Sequence, residues 1–269
     1  MPVMSLIGCR MFEDEIVHLV ENEPLIDELI VVENKDCSRL MEKLDDVGIS
    51  YKLVPETSLN SAYKGNCQDK YCFIINILEF ALHAIPQNLK SEVYKAVEDM
   101  ADFSDGILLF YGLCGNVLGK VEEELGDLDC RICILKEENG EIVDDCIGAV
   151  LGGRDAYLEQ LKSFKGVGTF FLTPMWAANW GDMLVAGGFG KDPTDVKTSK
   201  WVFDSIGYKK VAKLNTGLHY EKEFDNIVKE FANIFEFDIL NIEGTLDLVE
   251  RCYRDFRDEI LEGHHEKLD

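Results

Sequence analysis

Cys9, Cys114 and Cys146 each stand where an apolar stretch gives way to a turn or a helical pattern, and a thiol at a helix N-terminus is favoured as the thiolate. Cys9 follows the apolar run Val3 to Gly8 and precedes Met11, Phe12, Ile16, Leu19 and Val20, which recur at helical spacing. Cys114 ends Gly106-Ile-Leu-Leu-Phe-Tyr-Gly-Leu-Cys-Gly-Asn116, an apolar run bounded by glycines that reads as a strand buried on both faces. Cys146 follows Asp144 and Asp145, either of which suits a helix N-cap. His83 lies just ahead of Pro86, a residue suited to a first helical turn. Three thiolates and an imidazole make a tetrahedral zinc set. An iron–sulfur cluster on the same ligands is the alternative. The four are scattered singly rather than paired as CxxC, so spacing alone leaves separate buried residues as the competing reading.

Other residues carry weaker signals. Cys130 and Cys133 match half of a zinc knuckle, but within a strand their side chains point to opposite faces, which favours core packing. Cys67 and Cys72 lie in a polar stretch and read as a loop thiol pair, with a second metal or a redox pair as alternatives. Cys37 and Cys252 read as structural, His18 as exposed, and Trp176 with Trp180 as core. Gly187-Gly-Phe-Gly190 lacks the strand-before, helix-after context of a dinucleotide fingerprint. Arg154 suits either an anion or a surface carboxylate, and Glu13 and Glu15, one turn beyond Cys9, suit a general base or a support for the ligands.

These residues need a scaffold that brings them together. Strands over 3–8, 29–32 and 49–54 alternate with helices over 9–20 and 38–47, a βαβαβ start that implies a parallel sheet with right-handed crossovers. Residues 55–71 form a long polar loop, and Phe73 to Ala84 is strongly apolar. Helical spacing resumes over Val93 to Met100, and the strand at Gly106 is counted as the fourth. A helix near 117–125, a strand at 131–135 and a helix through Phe164 follow, then strands at 168–174, 209–217 and 237–242 among helices, the last helix spanning 245–256. The fold class is α/β, a mostly parallel sheet flanked by helices, or two similar α/β lobes, with the metal site at the carboxyl edge where such sheets bind ligands. The expected divisions are a lobe over 1–190 with the site, a portion over 191–258 packed on the same or an adjacent sheet, and a polar tail over 259–269.

With 269 residues, 46% hydrophobic, the chain can fill a large core. A formal charge of -24 argues against nucleic acid or an anionic membrane as partner. Met1-Pro-Val-Met-Ser-Leu-Ile-Gly8 has no basic n-region and is too short to span a bilayer, so a cytoplasmic location is expected. Nine cysteines dispersed over this length read, in a reducing compartment, as core residues and ligands rather than a disulfide framework.

Gly8-Cys9, Leu82-His83-x-x-Pro86-x-x-Leu89, Tyr111-Gly-Leu-Cys114-Gly115, Asp145-Cys146 with Gly152-Gly153, and Gly168-Thr-Phe-Phe-Leu-Thr173 come in an order that resembles a widespread family of unknown function. Its members occur in methanogenic archaea and in anaerobic and other bacteria, and the likeness extends to about Gly244. The resemblance implies Cys9, His83, Cys114 and Cys146 as the matching site positions. Some members are encoded near corrinoid-dependent methyltransferases for methylamines and similar C1 compounds. That association implies a methyltransferase, or its corrinoid protein, as partner. The sequence departs from the family pattern at Asp145, where many members carry histidine, and in its longer Cys67/Cys72 loop. Two functions follow as expectations: a zinc protein in an accessory or partner role, or a zinc-dependent enzyme activating a thiol or water.

Overall fold

The computed structural model describes residues 2–59, 70–79 and 86–266, the side chains of 264–266 excepted. Its first sheet contains β1 (Val3–Cys9), β2 (Glu28–Glu33), β3 (Lys52–Pro55), β4 (Cys72–Leu78), β5 (Gly106–Phe110) and β6 (Arg131–Ile134). All pair in parallel, in the order β3-β2-β4-β1-β5-β6. The inner strands β1 and β5 are buried along their whole length, as expected for a sheet covered on both faces. Helices α1 (Glu13–Glu21), α2 (Ser38–Asp46) and α3 (Pro86–Ala101) supply the cover, each presenting an apolar stripe at helical spacing, such as Leu89, Val93, Ala96, Val97 and Met100 of α3.

The strand at Gly106 is the fifth rather than the fourth, because Cys72–Leu78 forms β4 between β2 and β1. Phe73, Ile74, Ile75 and Ile77 have the aromatic and β-branched character of a buried strand. The apolar run continues to Ala84, which hides the strand's end from periodicity. Strands β1 and β5 are neighbours whose outgoing connections run in opposite directions along the sheet, to β2 and to β6. Such a switch point opens a crevice at the carboxyl edge.

After β6 the chain leaves this sheet. An isolated antiparallel bridge between Lys136 and Ile142 and two helices, α4 (Cys146–Leu151) and α5 (Arg154–Ser163), lead to a second parallel sheet. It holds β7 (Gly168–Leu172), β8 (Tyr208–Asn215) and β9 (Asp238–Glu243) in that order. The sheet therefore changes before Gly168, inside the segment 1–190. Helices α6 (Pro174–Ala178), α7 (Trp180–Ala186), α8 (Val196–Ile206) and α9 (Phe224–Phe235) accompany it, packed through Phe170, Phe203, Phe231 and Phe235. The last helix, α10 (Asp247–Glu266), returns to the first sheet, where Tyr253 meets Phe73 edge-on at 5.6 Å. It runs beyond the expected end at 256 into the expected tail, because Ile260 stays on the apolar stripe and is buried over Gly106. Among the described residues no helix is long and apolar enough to cross a membrane.

Candidate functional site

Cys9 is the last residue of β1, its register partner Leu78 at the end of β4, and its side chain is buried. Beyond β5 the chain passes Tyr111 and Gly112 to reach Cys114. At Gly112 a Cβ would lie 2.6 Å from the Val143 carbonyl oxygen and 2.8 Å from the Asp145 nitrogen, so only glycine lets the two loops touch. The Leu113 N–H donates to the Val143 carbonyl at 2.8 Å and that of Cys114 to the Asp144 carbonyl at 3.2 Å. Cys114, Gly115 and Asn116 then turn through positive φ of 45°, 74° and 65°, a costly conformation for the two that are not glycine. Cys146 opens α4, whose N-cap is Asp145, its carboxylate accepting from the Gly148 N–H at 2.8 Å.

The three thiols line one cavity of about 440 Å³ between the two sheets. None of them is in a disulfide. Burial pushes Cys114 up to about 12, with Asp145 adding to the rise and a Gly112 backbone hydrogen bond opposing it. Cys9 and Cys146 are raised as well, chiefly by burial, with Cys114 adding to the rise at Cys9 and Asp145, Cys9 and Cys114 adding to it at Cys146. The Asp145 carboxyl is raised by burial despite its backbone donors. One contact opposes the trend at Cys146: the Trp176 Nε1–H donates to its Sγ at 3.1 Å. Indole N–H is only a donor, so the sulfur is the acceptor.

Trp176 comes from α6, which Thr173 caps through its hydroxyl at 3.2 Å. It packs against the hydrophobic core, as expected, and also stands at the cavity wall. Trp180 packs against the core as well, edge-on to Phe231 at 5.5 Å. The side of the cavity formed by the second sheet also carries Tyr157, Phe170, Phe189 and Tyr208. No periodic pattern joins these rings in the sequence. The signal for Trp176 was its place, just past the carboxyl end of a strand and inside a Thr-Pro helix start.

His83 and Cys67 lie outside the described residues. Pro86, three positions after His83, lines the cavity. Among the described residues, no group of three or more His, Cys, Asp or Glu side chains is disposed to hold a metal ion. Cys72, expected as one of a loop thiol pair, is instead the first residue of β4, buried and disulfide-bonded. Cys130 is buried and Cys133 half-buried, away from the cavity lining. Cys37 donates to the Asn34 carbonyl at 3.2 Å and Cys252 to that of Lys136 at 3.2 Å, both structural contacts. His18 is not exposed but half-buried, its Nε2 2.8 Å from Glu250 of α10. Arg154 pairs with Asp144 at 2.9 Å and Glu141 at 3.1 Å.

Glu13 and Glu15 do not line the cavity. With Asp14 they form a buried acidic turn at the start of α1. Lys43 of α2 reaches Glu13 at 3.2 Å and Asp14 at 2.6 Å, and its ammonium also touches the Met175 sulfur at 2.7 Å. Arg10 adds a looser pair with Glu13 at 3.6 Å. Burial raises Glu13, against the pull of Lys43 and Arg10, and pushes Glu15 up to about 8, with Asp14 next in effect.

Residues 77–253 match the family described as Protein of unknown function (DUF1638). The chain belongs to that family. A comparison with curated proteins finds no match. The matched segment of this DUF1638 member includes Cys114, Cys146 and Trp176, while Cys9 lies ahead of it.

Proposed function

We propose that this DUF1638 member is a zinc-binding protein, the metal held by Cys9, Cys114, Cys146 and His83. Its role is that of an accessory or partner in corrinoid-dependent methyl transfer from methylamines or similar C1 compounds. The observation that supports this reading is that three thiols, from a strand end, a loop and a helix start, line one cavity. Thiolates with an imidazole suit zinc. Burial that raises each thiol is a cost that a divalent cation offsets, because binding replaces the proton. Bound zinc would keep its thiolates deprotonated and nucleophilic near neutral pH. The chain's own part is to deliver Cys114 and Cys146 as a joined pair and Cys9 from a separate strand. A cavity of about 440 Å³ suits a small molecule rather than a corrinoid macrocycle, so the macrocycle would stay with the partner protein.

One observation favours a second reading, a zinc-dependent enzyme activating a thiol or water: the cavity leaves room for a substrate beside the thiols.

Protein purified without oxygen, examined by metal analysis and X-ray absorption, separates these readings. One zinc per chain with three sulfur ligands and one nitrogen supports the first, and a water in the coordination shell supports the second. No metal above trace overturns both. Cys114→Ser is expected to lower metal content several-fold more than Cys133→Ser, and equal losses overturn the ligand assignment. A pull-down that recovers neither a methyltransferase nor a corrinoid protein from cells expressing them overturns the partner role.

A further inference from the structure

The cavity has a charge character that its thiols alone do not explain. Among its described lining residues there is no lysine, arginine or histidine. The ionisable groups on its wall are all acids: the three thiols, Asp145, and the phenols of Tyr111, Tyr157 and Tyr208. Segment 80–85, which precedes Pro86, contains no lysine or arginine in its sequence, and its one basic residue is His83, the ligand proposed above. The N–H of Gly148 in the first turn of α4 is directed at Asp145, not at the cavity. A buried anion would find no counter-charge among the described lining residues, and an unpaired buried charge is costly.

The buried thiols are neutral when protonated, so what the wall offers a positive ligand is aromatic surface and one carboxyl, Asp145. Tyr157, Phe170, Trp176, Phe189 and Tyr208 present aromatic surface from the second sheet, and Phe12 presents more from the first. Aromatic faces carry partial negative charge and attract a cation within about 6 Å of the ring centre, most strongly where water is excluded. The net charge of -24 adds a long-range pull on cations and a barrier to anions.

We infer that the cavity binds a small organic cation, an alkyl-substituted onium group seated against the aromatic wall with the thiols beside it. This names a ligand class for the site proposed above and rests on that cavity being the functional site, though not on the identity of the metal. Nothing in it requires the cation to react.

The test uses the whole chain and three probes of similar tetrahedral shape but different charge: tetramethylammonium, neopentyl alcohol and pivalate. Each is titrated by ligand-observed NMR, with and without added zinc. Tetramethylammonium is expected to bind about ten-fold more tightly than the alcohol, and pivalate is expected not to bind saturably. Trp176→Leu and Tyr157→Leu should each weaken ammonium binding by about three-fold or more while leaving the alcohol nearly unchanged. Equal affinity for ammonium and alcohol, or displacement of the ammonium by pivalate, overturns the inference. Should a variant fail to fold, the charge series on the unsubstituted protein decides alone. Zinc content measured on the same samples separates the two proposals. Cation selectivity in protein that takes up no zinc overturns only the metal reading, and zinc uptake without selectivity overturns only this one.

Discussion

Two groups of ionisable side chains share the segment from Cys9 to Glu15, and they are built in opposite ways. The cavity gathers thiols and a carboxyl with no cation among its described lining residues. The acidic turn of α1 sets two of its three carboxyls, Glu13 and Asp14, on a buried ammonium, Lys43, with Arg10 beside Glu13. Helix α6 touches both, Met175 resting on Lys43 and Trp176 on Cys146. A charge-paired cluster holds elements together, whereas buried thiols without a cation stay protonated and leave a cation free to take the proton's place. The contrast separates scaffold from site within a single stretch of chain.

The sharpest way to break that contrast is Lys43→Met. It leaves Glu13 and Asp14 without their main counter-charge, and urea unfolding is expected to show a loss of about 3–5 kcal/mol. A loss below about 1 kcal/mol would mean that the acidic turn is not held by this pairing. Glu15→Gln comes next. Glu15, at about 8 against an ordinary 4.5, stays protonated in the folded chain while the unfolded chain ionises it. Stability therefore falls as pH rises from 4.5 to about 8, by at most about 1.4 kcal/mol per unit, and the two proteins differ little below the ordinary value. The variant should lack that fall and be the more stable at pH 8. Parallel stability profiles for variant and parent would sink the account.

Trp176→Phe removes one hydrogen bond and should cost about 1 kcal/mol, read as a small drop in Tm. A loss as large as that of Lys43→Met would move Trp176 to the scaffold side. The smallest effect is expected at Cys114→Gly. Glycine takes a φ of 45° without strain, so stability should stay within about 1 kcal/mol of the parent although a proposed ligand is gone. A larger loss in denaturant would show that Cys114 supports the fold.

Much of the scaffold was legible in the residues. Val3 to Gly8 and Gly106 to Phe110 are strands because their unbroken apolar runs are short and end at special residues, and Asp145 caps α4 as its position suggested. That Cys9, Cys114 and Cys146 line one cavity was foreshadowed by their places at a strand end, in the turn after a strand and at a helix start. Strand β4 was hidden because the apolar run from Phe73 does not stop where the strand does. The change of sheet before Gly168 was hidden because a strand's own residues do not name its hydrogen-bonding neighbour. Lys43 gave no warning either: its partners sit 29 and 30 residues earlier, and only the packing of α2 on α1 joins them. The aromatic wall is assembled from loops and helices far apart in the chain, so no local pattern could announce it.

The contact at Gly112 has a mechanical consequence. Because Leu113 and Cys114 hang from the main chain at Val143 and Asp144, the α-carbons of Cys114 and Cys146 move as one body. Cys9 rides on another strand. That strand pairs with β5 as far as Gly8 and Phe110, so the sheet ties Cys9 to the same frame. The span between the thiols is thus set by main-chain contacts that rotamer changes adjust only slightly, and resetting it takes a change in backbone at Gly112 or at the end of β1 rather than a change of cysteine.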